Sequence, residues 1–152
     1  MTEVRFYHLT QSPLENTLPG LLTKSLERGW RVIVQGGNAA RLSFLDTHLW
    51  SFSEASFLPH GLEGEGATQP IWLTTSDSNP NDAGVLMLID GARAKPERMR
   101  GFDLITIFFD GADQGAVAQA REDWKAVTEA GLAAVYWAQE NGSWVQKAKS
   151  GG

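Results

Sequence analysis

Cysteine is absent from this 152-residue chain, which excludes disulfides and thiolate metal sites outright. Histidine is scarce, and the three that occur, His8, His48 and His60, are too dispersed to read as a metal site. Long apolar runs are missing as well: none nears the ~18 residues that a membrane span requires. The N-terminus opens directly into a strand-like pattern, with no charged segment leading into an apolar one. The expectation is a soluble, unprocessed protein, for which the cytoplasm fits best. Positive charge is in short supply too, with 13 Lys and Arg against 18 Asp and Glu for a net −5, and no stretch gathers the cations into a stripe. Autonomous nucleic-acid binding relies on neutralising phosphates, so strong direct binding is not expected and any such link should run through another protein. Internal repeats and low-complexity linkers are lacking. What remains, at this length and with 42% hydrophobic residues, is enough for one domain with a real core.

The pattern that is present alternates strands with helices. Glu3 to Leu9 alternates and is aromatic-rich, which predicts a strand with one polar side. Ser12-Pro13-Leu14-Glu15 has the form of a capping box with proline at the first helical position. Leu14, Leu18, Leu21, Leu22 and Leu26 then keep helical spacing up to Gly29, with Pro19-Gly20 as an interruption that kinks the helix or delays its start. Arg31 to Gln35 is a β-branched run, and Gly36-Gly37-Asn38 turns it into a helix carrying Leu42, Leu45 and Leu49. From Trp50 to Pro70, prolines and glycines break any period, so this region reads as mostly loop before a strand at Ile71 to Thr74. A turn cluster over residues 76–82 precedes Val85 to Asp90, and Asp103 to Phe109 follows; both are apolar runs of the kind buried on two faces. The clearest helix spans 114–130, with Val117, Ala120, Trp124 and Val127 as its apolar stripe, Asp113 as N-cap and Gly131 as the C′ glycine. Ala133 to Trp137 is the last main strand, Asn141-Gly142 has hairpin-turn chemistry, and Ser143 to Gln146 can pair back. The fold predicted is a single α/β domain over residues 1–148 with a flexible tail at 149–152. Its sheet is open, mostly parallel and covered by helices on both faces.

None of the residues suited to catalysis sits in a motif. Gly36-Gly37-Asn38 stands where a dinucleotide-binding protein places phosphate. The stretch through Arg41 nevertheless lacks both the G-x-G-x-x-G fingerprint and the Walker pattern, so the glycines read as a tight turn. His60 has no G-x-S-x-G elbow, no thiol and no sequence-local acid to orient it, and reads as a packing or capping histidine. Asp82, Asp90 and Asp110 fall at strand ends, where carboxylates can hold Mg²⁺, but their contexts are ordinary turn chemistry. No catalytic, metal or cofactor-binding residue is assigned. Two unusual features remain. Trp50, Phe52, Phe57 and Trp72, with Leu58 and Pro59, cluster at and around the central loop, where aromatics either lid a core or anchor an interface. Arg121 and Lys125 lie one helical turn apart on an otherwise acidic chain and either grip carboxylates or form a solvated face with Glu129.

Taken together, Phe6-Tyr7-His8-Leu9, Leu49-Trp50, Ser56-Phe57-Leu58-Pro59-His60, Gly64-Glu65-Gly66 and Pro70-Ile71-Trp72 resemble the chi subunit family of bacterial DNA polymerase III holoenzyme. Ala120-Arg121-Glu122-Asp123-Trp124-Lys125-Ala126 is similar to that family's last long helix. The resemblance implies a Rossmann-like three-layer sandwich without nucleotide binding, and a non-catalytic adaptor of the clamp-loader complex with no cofactor. It implies two partner surfaces. Trp50, Phe57, Leu58 and Pro59 fall on the one that meets a psi-like subunit, or an accessory helicase. Arg121, Trp124 and Lys125 fall on the one that takes the acidic C-terminal tail of single-stranded-DNA-binding protein. Where better-known members carry a further lysine, this chain has Val117, so weaker tail binding or a substitute cation is expected. The competing readings are a small nucleotide-binding or hydrolytic α/β enzyme and a helicase-associated interaction module.

Overall fold

The computed structural model describes residues 2–10, 14–51, 60–61, 70–77, 79, 81–140 and 143–150, with the backbone alone at 15–16, 48–51 and 60–61. In chain order the elements are β1 (Glu3–Leu9), α1 (Leu14–Glu27), β2 (Val32–Gly36), α2 (Ala39–Ser51), β3 (His60–Gly61), β4 (Ile71–Thr74), β5 (Val85–Ile89), α3 (Pro96–Met99), β6 (Leu104–Asp110), α4 (Gln114–Glu129), β7 (Ala133–Glu140) and β8 (Ser143–Ser150). The strands form one eight-stranded sheet in the order β3-β4-β2-β5-β6-β1-β7-β8. Every neighbouring pair is parallel except β7 with β8.

Period-two alternation sends side chains to two separate cores. Tyr7 and Leu9, Val32 and Val34, and Val85, Met87 and Ile89 pack beneath Leu14, Leu18 and Leu22 of α1 and Leu42 and Leu45 of α2. Val4 and Phe6, Ile33, and Leu86 and Leu88 pack on the opposite face against Met99 of α3 and Ala120 and Val127 of α4. Helices thus cover both faces, giving the three layers and the mostly parallel sheet that the alternation predicts. Because β5 and β6 are covered on both sides, their apolar runs have no polar alternation.

Several boundaries differ from the sequence expectation. α1 runs through Pro19 from Leu14, since burial of Leu14, Leu18 and Leu22 to 6% exposure or less, at ~1.5–3 kcal/mol each, outweighs the ~3 kcal/mol that an interior proline costs. The capping-box residues Ser12 and Pro13 lie outside the described residues. β1 keeps its polar residues Glu3 and Arg5 partly exposed only at its start, while Tyr7 and Leu9 on the same side are buried, because it is an interior strand between β6 and β7 with apolar neighbours above and below. α3 is unanticipated, although Pro96 at its first turn followed by Glu97 is a helix-start signal. β8 extends through Ser150, so Lys149 and Ser150, expected in the tail, pair with Val135 and Ala134. Its exposed half, Lys147 to Lys149, lacks a strand pattern because backbone pairing to β7, not burial, holds it. Glu140 pairs with Ser143 across the connection at 141–142, which lies outside the described residues.

Candidate functional site

The turn after β2 shows first what this molecule does with a phosphate-like position. A Cβ on Gly37 would stand 2.4 Å from the Asp90 carbonyl oxygen, so glycine is there to let two backbones approach. The Gly37 amide donates to Ile89 O, and Asn38 Oδ1 accepts from Arg41 N at 3.1 Å, capping α2. These amides serve the fold. Beyond the carboxyl ends of β1, β5 and β6 lies an open crevice of about 860 Å³. Asp90, Asp110, Asp113 and Asp123 line it against Arg41, and Asp113 caps α4 by accepting from Ala116 N at 3.2 Å. Asp90 is ion-paired with Arg41 and Asp123 with Arg93, whereas the Asp113 carboxylate sits at the helix end that an anion would use and so disfavours a phosphate there. Among the described residues, no group of three or more His, Asp or Glu is placed to hold a metal ion.

The α4 surface has the opposite character. Its N-cap fixes the helix, its inner stripe seats on β6 and β7, and Gly131 with φ +82° ends it as a C′ residue. Trp124 packs half-buried against Phe6 at 5.3 Å between ring centroids and edge-on to Tyr136 at 6.3 Å. Phe6 and Tyr136 are register partners on β1 and β7, so adjacent strands build the floor on which Trp124 stands. Arg121 and Lys125 flank it, both exposed, and neither has a carboxylate partner among the described residues. Lys125 and Glu129 do not form the i, i+4 pair that a solvated face predicts. Val117, one turn earlier, is partly buried against the core and carries no charge to the surface.

Behind this surface lies a polar pair that linear reading misses. The Tyr136 hydroxyl and His8 Nδ1 are hydrogen-bonded at 2.5 Å, and the His8 ring stacks on Phe109 at 4.8 Å. Burial raises the Tyr136 pKa, with the Arg121 charge acting in the other direction, so the phenol stays protonated beside the guanidinium. Burial lowers the His8 pKa, opposed by Asp110, so the imidazole is neutral at physiological pH. Gly111 makes room for that ring, because a Cβ there would fall 2.2 Å from His8 Nε2. Strand alternation alone places Phe6 and His8 on one face and Tyr136 on one face, but only the strand order makes those faces the same.

Arg121, Trp124 and Lys125 are thus brought together. Trp50 occupies the last turn of α2, where only its backbone is described, and Phe57, Leu58 and Pro59 lie outside the described residues.

A model of the family described as DNA polymerase III chi subunit, HolC, matches residues 1–135. The chain is 28% identical over 91 residues to the probable DNA polymerase III subunit chi of Rickettsia prowazekii (strain Madrid E), covering 59% of this chain and 55% of that protein. It is 27% identical over 128 residues to the DNA polymerase III subunit chi of Pseudomonas aeruginosa, covering 81% and 86%. The chain therefore spans little more than half the length of the Rickettsia protein and most of the Pseudomonas one. With the family match running from the first strand into β7, over the residues that form both cores and the α4 surface, the chain belongs to the DNA polymerase III chi subunit family.

Proposed function

We propose that this protein is a non-catalytic accessory subunit in DNA replication, an adaptor of the clamp-loader complex that receives the acidic C-terminal tail of single-stranded-DNA-binding protein on α4. A second surface, around Trp50, Phe57, Leu58 and Pro59, takes a psi-like subunit or an accessory helicase. The observation that carries the tail site is the pair of exposed cations without carboxylate partners, Arg121 and Lys125, flanking a half-buried tryptophan. Arg grips a terminal carboxylate bidentately and Lys supplies a compact charge. Trp124 and Tyr136 offer an aromatic wall for an apolar residue at the end of the tail. The crevice argues against a nucleotide-hydrolysing alternative, because Asp113 occupies the helix end that a phosphate would use and Asp110 adds charge beside it, while Asp90 and Asp123 are ion-paired with Arg41 and Arg93.

Titration of a labelled acidic tail peptide against wild type, Arg121→Ala, Arg121→Glu and Lys125→Ala tests this reading. Arg121→Glu should weaken binding more than Arg121→Ala, because repulsion adds to the lost hydrogen bonds. Affinity should fall as salt rises, since exposed charges are screened over about 8 Å at 0.15 M. Equal affinities for all four proteins would refute the site.

A further inference from the structure

The other face of the sheet carries a second cationic surface, and no run of sequence announces it. A pocket of about 220 Å³ opens between α1 and strands β1, β6, β7 and β8. Arg5, Lys24 and Arg28 line it with no carboxylate among the lining residues, in a protein whose net charge is −5. Arg5 is tied to Glu3 through Nε at 2.5 Å, while Lys24 and Arg28 have no carboxylate partner among the described residues. Trp30, Trp137 and Trp144 also line the pocket. Trp30 is 36% exposed and lies under the Arg28 guanidinium at 5.0 Å. Thr106 and Trp137 supply the remaining signal: Thr106 is 3% exposed, and both its Oγ1 and Trp137 Nε1 are buried with no hydrogen-bond partner. An unpaired buried donor costs ~1–3 kcal/mol, so two of them in one pocket mark a place where a ligand has polar atoms to offer.

The geometry points to a contact site for single-stranded nucleic acid, with a base among the tryptophans and its phosphates on Arg5, Lys24 and Arg28. Charge complementarity requires an anionic occupant, and the indoles require a ring. A base edge presents carbonyl and ring-nitrogen acceptors for an indole N–H and a hydroxyl, whereas the apolar ring of an acidic peptide presents none. The cations number three, which makes the contact weak and local and fits a chain whose overall charge opposes strong binding. The site lies on the sheet face opposite α4 and does not rest on the tail reading.

Fluorescence anisotropy of the full chain with a labelled oligothymidylate of about ten nucleotides tests it. Wild type should bind at low salt, with log affinity falling against log salt at a slope of about −2, from roughly −0.7 for each of three phosphates. Tryptophan emission should be quenched on binding. Lys24→Glu with Arg28→Glu should cut affinity about tenfold or more, either reversal alone should weaken it measurably, and Trp30→Ala should weaken it several-fold, while Lys95→Glu, a single reversal on the far face, leaves it unchanged. Lys24→Gln with Arg28→Gln serves if the glutamates disturb α1, as melting curves would show. The inference fails if the double variant binds like Lys95→Glu, if a duplex of equal length binds equally well, or if a polyglutamate peptide binds in preference to the oligonucleotide.

Discussion

At the scale of single residues, His8 has surroundings that its sequence context does not show. It stacks on Phe109, meets the Tyr136 hydroxyl and lies within the field of Asp110. Burial is the first cause of its lowered pKa, so the folded protein resists a proton that the unfolded chain takes up near pH 6.5. As pH falls, the unfolded state binds more protons, and stability falls with it. The contribution of His8 is fully present above about pH 6.5 and is lost as pH drops through the folded value. Thermal melts of wild type and His8→Gln at about pH 7.5 and about pH 5 check this, and the wild type should lose more between the two. Parallel shifts would place the pH dependence elsewhere. Gly37 and Gly111 show a related lesson: each glycine is identifiable in sequence as a turn residue, but what forbids a side chain is a carbonyl or a ring brought in from a distant strand.

Among the elements, α4 was the most legible, because its cap, its stripe and its C′ glycine are all local signals that agree. Asp113→Ala removes the side-chain bond to Ala116 N and should cost about 1 kcal/mol, read as a lower melting temperature. Tail-peptide affinity should change far less than in Arg121→Glu, since Arg121 and Lys125 lie two or more turns from the cap; an equal loss would mean that the whole helix, rather than its cations, makes the site. β8 was the least legible. Pairing along all of β7 extends it to Ser150, yet Gln146-Lys147-Ala148-Lys149 has no alternation to read, because edge strands with lysines are built to stay exposed. α1 shows the converse, a local breaker overridden by leucines that find a core.

Over the whole molecule, charge is partitioned by the fold. The crevice beyond the strand ends gathers four aspartates, while Arg121 with Lys125 and Arg5 with Lys24 and Arg28 occupy opposite faces of the sheet. A chain of net charge −5 thereby offers two separate cationic surfaces. The surface proposed around Trp50 and Phe57 is tested by Trp50→Ala and Phe57→Ala, each of which should weaken psi-like or helicase association by ~2 kcal/mol or more with the melting temperature kept. If the two are core residues, stability should instead fall by ~3 to 5 kcal/mol at unchanged affinity, so binding and melting are measured together. The sequence by itself determined the α/β class, the parallel and doubly covered sheet, the missing phosphate fingerprint and the helix that presents Arg121, Trp124 and Lys125. Those follow from local periodicity and caps, which fix what an element is and which side of it is apolar. Only the tertiary structure decided that His8 meets Tyr136 across 128 residues, and that Arg5 shares a pocket with Arg28 and Trp137. Which apolar sides face one another depends on strand order, and strand order is set by the joint burial of all the strands and helices rather than by any one segment's pattern.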